Sequence, residues 1–175
     1  RDCFAAVGRD KGAEFTPERI EELTAAKTRI VKEVFAESVE ALPGAAELIA
    51  ELARAGVPLA ICSGALREEI RLAARTVGVL EHFTEIVSAE DVQRGKPDPE
   101  GYALAAERLC RSLGRPIAQA RCVVIEDSPA GVAAGRALGM KVLAVTSSNT
   151  RQELHQADRV VDSLAEVRPA DLESL

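Results

Sequence analysis

Three short segments hold side chains that could act together on an anion. Ser63-Gly64-Ala65 offers a hydroxyl, Gly95-Lys96-Pro97-Asp98-Pro99 a lysine, and Glu126-Asp127-Ser128-Pro129-Ala130-Gly131 two adjacent carboxylates. Lys96 lies 33 residues after Ser63, and Asp127 lies 31 residues after Lys96. A hydroxyl can donate a hydrogen bond to an oxyanion, and an ammonium supplies a full positive charge. The acidic pair sits uneasily with them, because two like unit charges about 4 Å apart repel by roughly 4 kcal/mol at an effective dielectric of about 20. A divalent cation between them would resolve that conflict. Each segment alone also has a plain structural reading: Ser63 as a turn residue or helix cap, Lys96 as a solvated surface lysine, and Glu126-Asp127 as charges favoured at a helix N-terminus.

The elements that must carry these residues follow from periodicity. Helical spacing of Ile20, Leu23, Ile30 and Val34 predicts a helix over 17–39, with Thr16 as cap and Pro17 in its first position. Residues 1–15 are ambiguous, with a short apolar patch over 4–7. A second helix begins at Pro43-Gly44 and stops at Gly56. Continuous apolar runs predict strands over 57–62 and 122–125, and short apolar stretches flanked by a charged or polar residue predict strands over 85–88, 141–145 and 159–161. Helices are predicted over 66–77, 99–113, from Pro129 to about Gly139, and over 150–156. Short apolar strands alternating with helices imply βαβ units and a parallel sheet covered on both faces. In such sheets ligands sit at the carboxyl ends of strands, which is where Ser63 and Glu126-Asp127 fall, with Lys96 in the loop beyond a third strand.

Composition narrows the partners. Of the 175 residues 47% are apolar, enough for a core, and the net charge is −6, which disfavours nucleic acid. No apolar run within the chain reaches membrane-spanning length. The four cysteines, Cys3, Cys62, Cys110 and Cys122, form no CxxC pair. They are expected to be free thiols of a reducing, cytoplasmic protein rather than disulfides or metal ligands.

Taken together, a hydroxyl, a lysine and an acidic pair in this order closely resemble the haloacid dehalogenase-like superfamily. The segments Gly95–Pro99 and Ile125–Gly131 resemble its β-phosphoglucomutase-like phosphatases, and the likeness runs over about residues 16–165. It implies an α/β fold with a Rossmann-like parallel sheet and the remainder of a helical cap, divided as 1–40 (end of the cap) and 41–175 (core). It further implies a phosphoryl-transfer enzyme acting on a small phosphorylated metabolite. In that reading Ser63 and Lys96 are catalytic, Glu126 and Asp127 hold Mg2+, and Gly64, Arg67 and Lys27 bind substrate. The chemistry is consistent, since phosphoryl transfer is mostly positioning and stabilisation of charge on three oxygens, and Mg2+ prefers hard oxygen ligands with substrate phosphate.

The superfamily's nucleophile is an aspartate in an Asp-x-Asp motif after its first strand. Before Ser63 the chain has only Asp2 and Asp10, neither after a strand-like run nor followed by an aspartate two residues on. The chain also opens on Arg1. The expectation is that the nucleophile lies on a preceding segment, and that residues 1–175 alone are inactive and poorly stable. Where sugar-phosphate mutases of the group carry a Ser-Lys-Asn-like clamp, this chain has Ala65-Leu66-Arg67. A phosphatase is therefore expected over a β-phosphoglucomutase-like phosphomutase, with a non-catalytic binding remnant as a reading from another class.

Overall fold

The computed structural model describes residues 15–37 and 39–175. It divides into two compact units, Arg1–Val39 and Glu40–Leu175. Within the first, helix α1 (Pro17–Glu37) starts where expected. The Thr16 hydroxyl accepts from the Arg19 N–H at 3.3 Å, and its carbonyl accepts from the Ile20 N–H at 3.0 Å. Lys27 lies on this helix and is exposed. The apolar patch at 4–7 and Cys3 lie outside the described residues.

The second unit is an alternation of α2 (Ala45–Arg54), β1 (Ala60–Cys62), α3 (Arg67–Thr76), β2 (Glu85–Val87), α4 (Glu100–Leu113), β3 (Val123–Glu126), α5 (Pro129–Ala137), β4 (Lys141–Val145), β5 (Arg159–Val161) and α6 (Pro169–Glu173). All strand pairing is parallel: Ala60 faces Glu85, Ile125 faces Leu143, and Ala144 faces Val160 in register. The pairing makes two sheets, β2–β1 and β3–β4–β5. No hydrogen-bonded ladder joins β1 to β3 among the described residues, and Ile125 on β3 is 38% exposed.

Strand β4 explains why residues 142–145, which follow Lys141, are all apolar. Leu143 and Val145 pack on one side against Leu48 and Leu52 of α2 and against Val161, Leu164 and Val167. Val142 and Ala144 pack on the other side against Tyr102 and Ala106 of α4, Val132 and Ala134 of α5, and Leu154. Burying each of the larger side chains contributes about 1.5–3 kcal/mol, so the strand needs no polar face. Helix α2 reaches this layer through Gly44, whose φ is +82°. A Cβ there would lie 2.1 Å from the Ala165 nitrogen, so only glycine lets the chain enter α2 so close to the turn at Leu164–Glu166.

Two expectations are corrected. The strand predicted over 57–62 begins only at Ala60, because the Val57 N–H closes back on the Leu52 carbonyl at 3.0 Å and Pro58 has no N–H to give. The helix predicted over 150–156 is a succession of turns. Its Gln152 carbonyl meets the His155 ring Nδ1 at 2.8 Å, and the Ala157 N–H returns to Leu154, three residues back. Helix α6 had no counterpart in the sequence reading. No helix among the described residues is long and apolar enough to cross a membrane.

Candidate active site

Strand β1 ends at Cys62, so Ser63 and Gly64 emerge at its carboxyl edge. The Ser63 N–H is still held by the Val87 carbonyl of β2 at 3.0 Å. The Ser63 Oγ accepts from the Ala65 N–H at 3.1 Å, which leaves its own hydrogen to donate. Ser63 and Gly64 line a cleft with Cys62, Arg94, Lys96 and Tyr102.

Lys96 is delivered by a pinned loop. The Glu100 carboxylate at the start of α4 accepts from the backbone N–H groups of Gln93 and Arg94 at 2.9 and 3.0 Å. Asp98, two residues before the helix's first residue, accepts from the Glu100 N–H at 3.0 Å. The Lys96–Pro97 peptide bond is cis. From this loop the Lys96 ammonium donates to the Cys62 carbonyl at 3.2 Å and to Oε1 of Glu126, and it stands 4.8 Å from the centre of the Tyr102 ring.

Glu126 closes β3 and is only 9% exposed. Its Oε1 accepts from Lys96 and from the Tyr102 hydroxyl at 2.7 Å, and its Oε2 accepts from the N–H groups of Asp127 and Ser128 and from the Ser128 hydroxyl. Burial would raise its pKa, but the hydrogen bond and charge of Lys96, with Tyr102 and Ser128, outweigh burial and hold it below the ordinary value. Burial, then the neighbouring carboxylate, push the Tyr102 phenol up, so it acts as a neutral donor. Burial likewise raises the Cys62 thiol, against the opposing charge of Lys96. Helix α5 comes down on this carboxylate through Gly131, where a Cβ would lie 2.0 Å from the Glu126 carboxyl carbon. The Ser128 hydroxyl caps α5 by accepting from the Gly131 N–H at 3.0 Å.

Asp127, the next residue, is presented differently. Its Oδ2 accepts from the hydroxyls of Ser147 and Ser148 at 3.0 and 2.9 Å, and its carbonyl accepts from the Asn149 side-chain amide at 2.8 Å. All three belong to the loop after β4.

The structure thus brings Ser63, Gly64 and Lys96 into one cleft and joins Glu126 to it through Lys96. It does not bring Arg67 there. That guanidinium donates to Asp91 at 2.5 Å, and Asp91 also accepts from Ser88 and Arg108. Lys27 belongs to the other unit, as an exposed residue of α1. Sequence reasoning passed over Tyr102, Ser147, Ser148 and Asn149. Tyr102 reads simply as an apolar position of α4. The polar run from Thr146 to Thr150 follows a strand, and the strand-end rule that singled out Ser63 would have reached it.

A family model for haloacid dehalogenase-like hydrolases matches residues 2–139. The chain belongs to that family. Among curated haloacid dehalogenase-like relatives it is similar to hexitol phosphatase A of Escherichia coli, at 37% identity over 158 residues covering 90% of this chain and 65% of the relative. It is 35% identical to validoxylamine A 7'-phosphate phosphatase of Streptomyces hygroscopicus subsp. limoneus over 71% of this chain and 56% of the relative. The chain therefore spans under two thirds of either protein. The structure of CbbY from Rhodobacter sphaeroides, solved with xylulose-(1,5)bisphosphate, superposes with a TM-score of 0.78 at 33% identity, covering 90% of this chain and 70% of that one. β-Phosphoglucomutase from Clostridium difficile superposes at 0.86 over 99% and 74% of the two chains, and at 20% identity it shows the shared fold.

Among the described residues no three His, Cys, Asp or Glu side chains cluster as a metal site. The acidic pair is unequal. A carboxylate offers about four lone-pair positions, and Glu126 already receives five donors. Asp127 faces two serine hydroxyls, which can rotate to make room. Mg2+ is commonly held by one or two carboxylates with water and phosphate oxygens, so Asp127 fits as a direct ligand and Glu126 as adjoining negative charge.

Proposed function

We propose that the protein carrying this chain is a Mg2+-dependent phosphoric monoester hydrolase acting on a small phosphorylated metabolite. The observation that carries the reading is the Lys96 ammonium, held between the last carbonyl of β1 and the carboxylate that ends β3. It places one cation where two strand ends and the cleft meet. In this reading the Ser63 hydroxyl and the backbone at Gly64 receive phosphoryl oxygens, and Lys96 opposes the charge that builds on them. Asp127, with Glu126 beside it, would hold Mg2+, which neutralises phosphate charge when bound.

The nucleophile in this reading is an aspartate on a strand that pairs with both β1 and β3, outside the residues described, and it forms an aspartyl-phosphate that water later hydrolyses. Among the described residues no ladder joins β1 to β3, which supports that placement. Residues 1–40 are read as the end of a helical cap, with Lys27 as its substrate-facing residue. A phosphatase is favoured over a phosphomutase because a mutase must hold a phosphate at both ends of its substrate. Arg67, expected to bind substrate and the residue of the Ala65-Leu66-Arg67 stretch able to take a second phosphate, donates to Asp91 and does not line the cleft. The relatives named for hexitol and validoxylamine phosphates direct the substrate search to phosphorylated polyols.

The test is hydrolysis of an aryl phosphate and a panel of polyol phosphates by the complete reading frame that contains these residues. Mg2+-dependent phosphate release, abolished by a chelator and restored by Mg2+, is expected. Turnover indifferent to the chelator would refute the reading.

A further inference from the structure

We propose that Tyr102 is a positioning residue for Lys96: its ring supports the ammonium, and its hydroxyl holds the carboxylate oxygen that Lys96 bonds. Lysine is a flexible point charge, and left alone beside a cleft it samples several positions. Here it is confined on three sides. The Cys62 carbonyl lies 3.2 Å from Nζ, the Glu126 carboxylate bonds it directly, and the Tyr102 ring centre lies 4.8 Å away. An ammonium has three hydrogens. Two are spent on Cys62 and Glu126, so the third has one direction left to point.

The confinement is only as firm as the groups that make it. Oε2 of Glu126 is held by two backbone N–H groups and a serine hydroxyl, which fixes one end of the carboxylate. The other end, the oxygen Lys96 uses, has one further donor: the Tyr102 hydroxyl at 2.7 Å. Tyr102 can hold it because it projects from α4, a helix of fourteen residues whose first turn is locked to the Lys96 loop by Glu100 and Asp98. It is buried against Val124, Val132 and Val142. The same residue thus fixes Lys96 from below through its ring and from the side through Glu126. A ring face toward an ammonium is itself attractive, more so when water is excluded.

The kinetic arm of the test rests on the phosphatase reading, and a second arm does not. In the complete reading frame, Tyr102→Phe keeps the ring and removes the hydroxyl, while Tyr102→Leu removes both. Each is made with and without Lys96→Ala. Tyr102→Phe is expected to lower kcat about tenfold, the scale of one charge-assisted hydrogen bond, with KM changed by less than about twofold. Tyr102→Leu is expected to lower kcat further. In the Lys96→Ala background either change should cost no more than about twofold, since the residue being positioned is gone. Equal losses in both backgrounds, or an unchanged kcat in Tyr102→Phe, would overturn the proposal.

The second arm is pulse acylation with acetic anhydride, read at Lys96 by peptide mass spectrometry. Tyr102→Leu should acylate at Lys96 about fivefold faster than the unmodified protein, as a lost cation–π contact releases the amine. An unchanged rate overturns the proposal. If the unmodified protein lacks phosphatase activity, the functional reading fails and the acylation result alone decides the role of Tyr102.

Discussion

Replacing Glu126 by Gln probes the site where burial, charge and hydrogen bonding are most tightly joined. The Glu126 side chain is 7% exposed and takes five hydrogen bonds, while the Lys96 side chain is 25% exposed. A glutamine has the same shape but one oxygen, so its NH2 must face either Lys96 and Tyr102 or two backbone N–H groups. Either way at least one donor meets a donor. Breaking a fully buried ion pair costs about 3–5 kcal/mol, but Lys96 can turn partly to water, so the expected loss is nearer about 2–3 kcal/mol. For a protein of this size that lowers the melting temperature by about 4–12 °C. The pH dependence has a definite sign. The pKa of Glu126 is lowered from its ordinary value of 4.5, so its stabilisation is present above that value and is lost as pH falls through the folded-state pKa. The gap between the two proteins should therefore be steady from about pH 8 to about pH 5 and narrow in stronger acid. Differential scanning calorimetry across that range measures it. A melting temperature within about 1 °C of the unmodified protein at neutral pH would show that the five donors regroup without cost, and the reasoning would fail.

Three further changes test neighbouring parts of the site. Lys96→Ala should reduce kcat by about 10²–10³, the usual consequence of removing one preorganised charge stabiliser, and a loss under about threefold would return Lys96 to the status of a surface lysine. Asp127→Asn should weaken Mg2+ binding by at least about tenfold in isothermal titration calorimetry while the far-ultraviolet circular dichroism is unchanged; equal affinity in the two proteins would remove Asp127 from the metal site. Gly131→Ala places a methyl 2.0 Å from the Glu126 carboxyl carbon, so it should destabilise by about 1–3 kcal/mol in urea titrations, and a neutral outcome would mean α5 shifts freely off that carboxylate.

What could be read from the sequence alone was whatever is written locally. The apolar residues that follow Lys141 in β4 announced a strand buried on both faces, and its neighbours β3 and β5 were placed within a residue by similar short apolar stretches. Because strands and helices alternate, Ser63 and Glu126 had to emerge at strand ends, and their order with Lys96 identified the family before any coordinates. Even there local rules reached only so far: at 150–156 the composition suits a helix, yet a histidine ring meets one of the carbonyls and the segment turns instead. The tertiary structure alone decided which charges meet. Arg67 is one residue beyond the Ser63-Gly64-Ala65-Leu66 turn, yet its partner is Asp91, 24 residues on, which draws it away from the cleft. Tyr102 is equally far from Glu126 in sequence, and Asp127 is met by serines 20 and 21 residues later. Periodicity encodes which side of an element is dry, because burial is a property of one residue and its near neighbours. The partner of a polar side chain is set by how separate elements stack, and the cost of leaving a buried donor or carboxylate unmatched is paid only once they do.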